Sequence, residues 1–412
     1  MINKLIMIRN YTTTILLSPT YSIGFCAIIM IIIQLITGFI LACNFIASIF
    51  ISFNIINNII MRELDLGFLL RYIHINGCAF LFIIIYMHIF RSIYKNSISK
   101  INVYIVGIII YIILCGISFT GYSLVFGQLS YWAIVVICNL ITCIPFIGNK
   151  LLILIWGGNI INDNTLQRIF SLHFILPLLI IFLIIIHLIF LHIINSTGDQ
   201  FFIINKYNRI NFYPLLLFRD LFIISYILLF FFNIIFFNSD IFNHTDNYII
   251  ANPLITPNDI MPEFYLLFYY AIIRAIPFKT FGIFLLLLFI ICLFHLFYSL
   301  YFYSNINLYK LATYFIFLLD IIIMSYSCLF INHYQTIYII LIFSFFNFFF
   351  FNIISSSNSS LFLLEIYDSY IEDYDIDYDI DYEYTFNYFY INNHSSFCNY
   401  TIEDMIRDNK YN

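Results

Sequence analysis

The sequence predicts an all-α integral membrane protein with eight transmembrane helices, and two observations carry that prediction. Of the 412 residues, 63% are hydrophobic and only 9% are charged, whereas soluble globular domains carry about 25% charged residues. The apolar residues are gathered in eight runs, each close to the roughly 20 residues that a helix needs to cross a bilayer. The same figures exclude a soluble enzyme, a disordered protein and a small disulfide-bonded secreted domain.

Polar segments, or segments that contain glycine and proline, separate the eight predicted spans. The apolar stretch 131–158 is not counted as a span, because Pro145, Gly148, Gly157 and Gly158 interrupt it and predict two short helices instead. The spans, numbered first to eighth, cover residues 21–45, 68–92, 103–126, 169–194, 214–237, 280–303, 311–331 and 336–354.

Charge and composition predict the orientation and the compartment. Eight spans place both termini on one side of the membrane, and basic residues are more frequent on that side than on the other. The positive-inside rule therefore predicts that the termini face the inner compartment. Many Phe and Tyr residues (50 and 34) beside few Gly and Pro (13 and 8) indicate AT-rich codons and hence an organelle genome. In a mitochondrion the inner compartment is the matrix.

Four histidines within the spans form two pairs with equal spacing. His74 and His88 lie in the second span and His173 and His187 in the fourth, 14 residues apart in each case. At about 100° per residue, 14 residues return to within about 40° of one helix face and rise about 21 Å. Both spans enter from the same side, so we expect His74 to face His173 near the outer surface and His88 to face His187 near the matrix surface. Because two facing imidazoles are the ligands of a low-spin haem iron, the pattern predicts two stacked b-type haems.

Glycines repeat this spacing in the first and third spans. Gly24 and Gly38 are 14 residues apart, and so are Gly107 and Gly121. A residue without a Cβ lets a flat macrocycle approach the backbone, although small residues also serve ordinary helix packing in membranes. The shared spacing favours clearance for haem and predicts that the first four spans form a bundle around the two haems.

Two arginines lie three residues from histidines of the second span. Arg71 precedes His74, and Arg91 follows His88. Because a guanidinium matches the geometry of a carboxylate, we expect both arginines to pair with haem propionates. The alternative is an arginine that only extends its charge to the membrane surface.

A series of motifs, in order along the chain, resembles the cytochrome b family, the haem-bearing subunit of ubiquinol–cytochrome c reductase (the bc1 complex, complex III). The resemblance extends from about residue 20 to residue 300 and implies two haem b groups, with ubiquinol and ubiquinone as substrates. Gln34, in the first motif, is implied to lie at the cofactor. The motifs are QLITG (34–38), RYIHINGCAFLF (71–82), GYSLVFGQLSYW (121–132), IPFIG (144–148), IWGG (155–158), FSLHFILP (170–177), HLIFLH (187–192) and ANPLITPNDIMPEFYLLFYYAIIRAIP (251–277).

The resemblance implies that quinol is oxidised near the outer face, at the loop between the fifth and sixth spans. The family signature Pro-Glu-Trp-Tyr stands here as PEFY at 262–265, and Glu263 offers a carboxylate that can accept a proton from quinol. Tyr265 belongs to the same signature, and Tyr270 maps to a position that lines the pocket. Ala133 stands where the family has a glycine that faces this pocket.

A second quinone site is implied on the matrix side. His192, Ser196 and Asp220 match the family there, and a histidine and a carboxylate beside a quinone can supply protons to its two oxygens. His192 follows His187 by five residues and so lies on another face of the helix, which excludes it as a third haem ligand.

The resemblance also implies the reaction, the partners and the location. The chain is expected to be the electron-transfer subunit of a proton-translocating quinol–cytochrome c reductase. Its expected partners are a Rieske iron–sulfur protein, cytochrome c1 and other complex III subunits in a dimeric complex, and no nucleic acid. The expected location is the mitochondrial inner membrane, spanned several times, with both termini on the matrix side.

Two other classes of protein fit the number of spans. One is a haem-free multi-helix proton-coupled transporter that uses intramembrane His and Asp residues as a proton relay, and the other is a purely structural subunit. Transporters usually have broken helices and inverted repeats, so equally spaced histidine pairs on parallel spans favour the haem protein.

Three regions are predicted from these features. Residues 1–200 form an N-terminal four-helix haem-binding bundle, and residues 201–354 form a C-terminal region with four helices and the quinol-site loop. Residues 355–412 are an acidic tail rich in tyrosine. Asp320, within the seventh span, has no assigned role.

Overall fold

The computed structural model describes residues 12–14, 17–94, 100–194, 209–274 and 278–301, with six further positions between 319 and 326. The eighth predicted span, most of the seventh, the tail, Ser196 and Asp320 lie outside the described residues. The α-helices used below are α1 (Ile23–Cys43), α2 (Gly67–Tyr94), α3 (Ile101–Ser123), α4 (Gln128–Leu140), α5 (Gly148–Trp156), α6 (Asp163–Ile194), α7 (Leu217–Phe237), α8 (Leu267–Arg274) and α9 (Lys279–Tyr301).

Five of these helices are long and apolar enough to cross a membrane: α1, α2, α3, α6 and α7. They coincide with the first five predicted spans, and α9 coincides with the sixth. The largest difference is the start of α6, six residues earlier than predicted. Its first turn is polar, and the side chain of Asn162 accepts a hydrogen bond from the backbone N–H of Thr165 (3.2 Å). A search for apolar residues misses such a capped polar turn.

The interrupted stretch after α3 forms two short helices, α4 and α5, as the sequence predicts. Helix α5 ends at Gly157, which adopts the left-handed conformation (φ 73°) that glycine accepts without steric cost. A π-helical segment, Ile55–Glu63, precedes α2. The π-helical segment lines the cavity described below through Ile56 and Ile60.

Helix α1 packs along α2, and α3 packs along α6. A continuous apolar core joins these helices to α7, and it includes Cys26, Met30, Phe82, Leu114 and Phe231. The opposite faces of the long helices are also apolar. Large side chains on them are exposed, for example Phe39, Phe182 and Phe222. Such exposed apolar faces suit a lipid environment rather than water.

The described residues fall into two compact units. The larger contains all the helices except the start of α7. The smaller contains a two-stranded antiparallel ladder of β1 (Thr12–Thr14) and β2 (Arg209–Asn211). In that unit the Arg219 guanidinium donates to the carbonyl of Leu17. The all-α prediction omits this ladder, because three-residue strands leave too short a pattern to detect in a sequence.

Candidate functional site

The imidazoles that the sequence pairs face each other at two levels between α2 and α6. The ring centroids of His74 and His173, the outer pair, are 6.3 Å apart. Those of His88 and His187, the inner pair, are 6.4 Å apart. A metal–nitrogen bond is about 2 Å long and a ring centroid lies about 1 Å behind its nitrogen, so imidazoles on opposite sides of one metal have centroids about 6 Å apart. Both pairs have the separation that a bis-histidine iron requires.

Hydrogen bonds to the outer pair fix which ring nitrogen carries the proton. Nδ1 of His173 lies 3.0 Å from the carbonyl oxygen of Ile117, and a carbonyl only accepts. Nδ1 of His74 lies 3.0 Å from the hydroxyl of Thr37. That hydroxyl donates its single proton to the carbonyl of Ile33 (2.7 Å) and so accepts from the histidine. Both rings therefore carry their proton on Nδ1, which leaves the lone pair of Nε2 available to a metal.

Two glycines make room for the outer rings. A Cβ on Gly38 would lie 2.9 Å from Cε1 of His74, and a Cβ on Gly121 would lie closer still to Cε1 of His173. Contacts below 3.0 Å force a displacement, so any other residue at either position would move the ring. In the structure these two glycines lie against the imidazole rings, and clearance for haem stays a prediction.

Glycines also lie against the inner pair, but at longer distances. A Cβ on Gly24 would lie 3.2 Å from Cε1 of His88, and a Cβ on Gly107 would lie 3.2 Å from Cε1 of His187. Nδ1 of His88 is buried and has no hydrogen-bond partner among the described residues. All four predicted glycines thus face one ligand ring each, two from α1 and two from α3.

Cationic side chains accompany both levels. At the inner level, the guanidinium of Arg91 stacks on the ring of Tyr21, 3.6 Å from its centroid. Burial, together with the charge of Arg91, lowers the pKa of Lys100 to about 8. An anion beside these two cationic side chains would offset that cost for Lys100.

At the outer level, Arg71 is 4% exposed. Its guanidinium donates to the side-chain oxygen of Asn57 and lies 5.8 Å from the ring centroid of Tyr248. A guanidinium has five N–H donors, so Arg71 keeps donors for a carboxylate. Gln34 and Arg71 line the same cavity as His74.

This cavity has a volume of about 470 Å³ and joins the outer pair to the loop before α8. Glu263 and Tyr265 form part of its wall, as do His74 and His173. The ring of Tyr265 stacks on Phe82, with centroids 4.2 Å apart and planes 3° from parallel. Burial raises the pKa of Glu263 to about 7. A carboxyl with that pKa changes its charge near neutral pH, as a proton acceptor should.

Two residues assigned to the outer quinol pocket by resemblance, Tyr270 and Ala133, are not part of the wall of this cavity, and their place at the quinol site stays a prediction. Among the described residues, those that line the cavity include Val125 but neither Tyr270 nor Ala133. The ring of Tyr270 lies 5.8 Å from the guanidinium of Arg274, and Ala133 is buried within α4.

The matrix-side residues are described in part. Asp220, in the first turn of α7, is 9% exposed, and its carboxylate accepts a hydrogen bond from the hydroxyl of Ser22 (2.5 Å). His192 is exposed in the last turn of α6. Ser196 lies outside the described residues.

Comparisons with known proteins point to one family. Residues 8–195 match the family model described as Cytochrome b/b6/petB, and residues 250–351 match Cytochrome b(C-terminal)/b6/petD. The cytochrome b of Apis mellifera ligustica is 38% identical over 292 residues, which are 71% of this chain and 76% of that one. The cytochrome b of Dictyostelium citrinum is 40% identical over 279 residues, 67% of this chain and 72% of that one.

The chain belongs to the cytochrome b family. A solved structure described as a hyperthermophilic respiratory Complex III contains a chain with the same fold. The TM-score is 0.77 at 28% sequence identity, over 84% of this chain and 93% of that chain.

Membership in the cytochrome b family determines the class of function. The chain is an electron-transfer subunit of a quinol–cytochrome c reductase, an oxidoreductase that works with b-type haem and quinone. The haem-free transporter and the purely structural subunit are therefore not favoured.

Three hydroxyl residues at these sites are not among those predicted from the sequence. Thr37 contacts His74 at 3.0 Å, Thr120 lies 3.4 Å from Nδ1 of His173, and Ser22 donates to Asp220. Both threonines directly precede an outer glycine, so a Thr-Gly pair repeated in the first and third spans was the available signal.

Proposed function

We propose that α1, α2, α3 and α6 hold two b-type haems, one between His74 and His173 and one between His88 and His187. The observation that carries this proposal is the separation of the ring centroids, 6.3 and 6.4 Å. When bound, each haem supplies a one-electron carrier within the membrane. Each imidazole presents one nitrogen to the iron, and Arg71 and Arg91 hold the propionates.

Glu263 is the proton acceptor of the outer quinol site. Its carboxyl lines the cavity that also contains the outer imidazoles, so a quinol bound beside Glu263 lies next to the outer haem site. The carboxylate takes the proton from the quinol hydroxyl, and the wall of Tyr265 and Phe82 excludes water from the ring.

Asp220 and His192 serve a second site on the matrix side, with Ser196. There the carboxyl and the imidazole supply protons to the two oxygens of a bound quinone. The hydroxyl of Ser22 fixes one oxygen of Asp220 and so orients the other towards its substrate.

The proposal extends to the membrane topology, the three regions of the chain and its partner subunits. The chain crosses the mitochondrial inner membrane eight times with both termini in the matrix, and its three regions are 1–200, 201–354 and 355–412. The basic residues near the termini support this orientation. Its partners are a Rieske iron–sulfur protein, cytochrome c1 and other subunits of a dimeric complex III. The similarity to a chain of a respiratory Complex III supports that assembly.

Single histidine variants test the assignment of the ligands. His88→Ala leaves the inner iron with one ligand and should abolish one of two b-type bands in the reduced-minus-oxidised spectrum of native membranes. His74→Ala should abolish the other band. His244→Ala, a histidine outside the long helices, is the control and should leave both bands. Two intact bands in His88→Ala would refute the pairing.

A further inference from the structure

Three tyrosine hydroxyls form a continuous hydrogen-bonded chain behind the outer cavity. Tyr269 of α8 donates to Tyr111 of α3 (2.6 Å), and Tyr111 donates to Tyr86 of α2 (3.3 Å). Tyr86 donates to the backbone carbonyl of Tyr265 (2.6 Å). Three separate helices thus converge on one backbone atom.

The chain has a direction and an end. Each phenol has one proton to donate and donates it towards Tyr265, while its oxygen accepts from the previous phenol. The final acceptor is a carbonyl, which has no proton to pass on. The arrangement therefore does not conduct protons to the cavity, and its physical effect is to hold the carbonyl in place.

The carbonyl belongs to the turn that presents Glu263. In this turn the backbone N–H of Leu266 donates to the carbonyl of Glu263 (2.8 Å). The ring of Tyr265 is fixed from the other side by its stack on Phe82 and by a contact of its hydroxyl with Cys78 (3.7 Å). The turn is thus held through both its backbone and its side chain. This matters because Glu263 follows a long loop after α7, and such loops are mobile unless they are anchored.

We propose that Tyr86, Tyr111 and Tyr269 are positioning residues that hold the carboxyl of Glu263 at the outer quinol site. The inference rests on the proposed function of Glu263. A proton acceptor must lie within hydrogen-bond reach of its substrate, and small displacements of catalytic groups cost large factors in rate. The three hydroxyls together resist such a displacement.

The position of each hydroxyl in the chain predicts a graded effect. Tyr86→Phe frees the carbonyl itself and should lower kcat for quinol oxidation about tenfold, the upper range for one hydrogen bond. Tyr111→Phe leaves the bond of Tyr86 to the carbonyl but removes its support, and should lower kcat about threefold. Tyr269→Phe removes only the outermost donor and should lower kcat less than twofold. KM should not change, since none of the hydroxyls touches the quinol.

The assay is quinol–cytochrome c reductase activity in native membranes that contain the intact complex. Tyr226→Phe is the matched control, because Tyr226 lies on α7 with 70% exposure and should keep full activity. The presence of both b-type bands in its spectrum shows that a variant has assembled. If Tyr86→Phe does not assemble, the test is whether Tyr111→Phe lowers kcat more than Tyr269→Phe does.

Two outcomes overturn the inference. Equal losses of kcat in all three variants would indicate that the hydroxyls relay protons and do not hold the carbonyl of Tyr265. An unchanged kcat in Tyr86→Phe would show that they have no positioning role. Failure of the proposed function is distinguishable, because Glu263→Gln would then leave quinol oxidation intact in the otherwise native chain.

Discussion

The outer and inner imidazole pairs share their spacing, their glycines and nearly their ring separation, yet the protein holds them differently. At the outer level a threonine precedes each glycine, Thr37 on α1 and Thr120 on α3, and both hydroxyls lie near Nδ1 of a ligand ring. At the inner level the corresponding residues are Ile23 and Val106, which have no hydroxyl. The outer glycines are also closer to their rings than the inner ones.

The surroundings of the two levels differ as well. The cavity of about 470 Å³ is lined by both outer imidazoles and by neither inner one. A carboxyl with a pKa of about 7 belongs to the same cavity. The two proposed pairs of haem ligands thus have different surroundings: the outer pair shares its cavity with the carboxyl proposed as a proton acceptor. The partners of a metal ligand tune the metal as much as the ligand itself does.

The largest expected difference between the levels comes from Glu263→Gln. Glutamine keeps the shape of the side chain but accepts no proton, so quinol oxidation should fall about 10²- to 10⁴-fold, the usual contribution of a general base. Quinone reduction at the matrix-side site should not change. The two half-reactions are measured separately in native membranes, each with the opposite site blocked. Equal loss of both would end the distinction between the levels.

The pH dependence provides the control for that variant. Glu263 is an acid whose pKa is raised to about 7 by burial, so it is protonated below pH 7 and ionised above it. Only the ionised form accepts a proton. The outer rate should therefore fall about tenfold for each pH unit below 7 and level off above it, and Glu263→Gln should remove this slope. A slope that persists in the variant belongs to another group.

The glycines give the next largest effect. A methyl on Gly121 would meet Cε1, Nδ1 and Nε2 of His173 at 3.0 Å or less, whereas a methyl on Gly107 would meet one ring atom of His187 at 3.2 Å. Overpacking of this kind costs about 1–3 kcal/mol, so Gly121→Ala should reduce the outer haem band about ten- to hundredfold. Gly107→Ala should reduce the inner band much less.

Helix α3 supplies its own control for the glycine series. A Cβ on Gly116 would have no atom within 4 Å, so Gly116→Ala should leave both bands at full height. Equal losses in Gly121→Ala and Gly107→Ala would mean that the two levels tolerate crowding alike.

The periodicity of the helix explains what the sequence could predict. The 14-residue spacing alone gave the ligand pairs and their levels, because a helix face is fixed by residue number. Spacing does not reveal which atom a glycine faces, since that depends on how two helices pack. All four glycines lie against the imidazoles, and this contact could not be predicted from spacing.

Other features leave weaker signals. The hydroxyl of a helical threonine usually bonds a carbonyl of its own helix, and Thr37 does so with Ile33, which hides its second contact with His74. The three positioning tyrosines, Tyr86, Tyr111 and Tyr269, are single aromatic residues among many. Tyr269 contacts Tyr111 only through the tertiary fold. Tyr270 and Ala133 match the family by position, and their role at the quinol site stays a prediction.

The smallest expected difference concerns the reduction potential of the outer haem. The hydroxyl of Thr37 accepts from Nδ1–H of His74, which makes the imidazole a stronger base and a better ligand for oxidised iron. Thr37→Val removes this acceptor, so the potential should rise. One hydrogen bond contributes about 0.5–1.5 kcal/mol, which corresponds to about 20–60 mV for one electron. Thr37→Ser keeps the hydroxyl and should keep the potential.

Thr120 is the internal control for this last prediction. Its hydroxyl lies 3.4 Å from Nδ1 of His173, but that nitrogen also donates to the carbonyl of Ile117 at 3.0 Å. Thr120→Val should therefore shift the outer potential less than Thr37→Val does. The inner potential should stay constant in both, because Ile23 and Val106 offer its ligands no hydroxyl. Redox titration of the two b-type bands in native membranes measures the outer and the inner potential in each variant. Equal shifts at both levels would mean that the threonines act through the whole bundle and not through their own ligand rings.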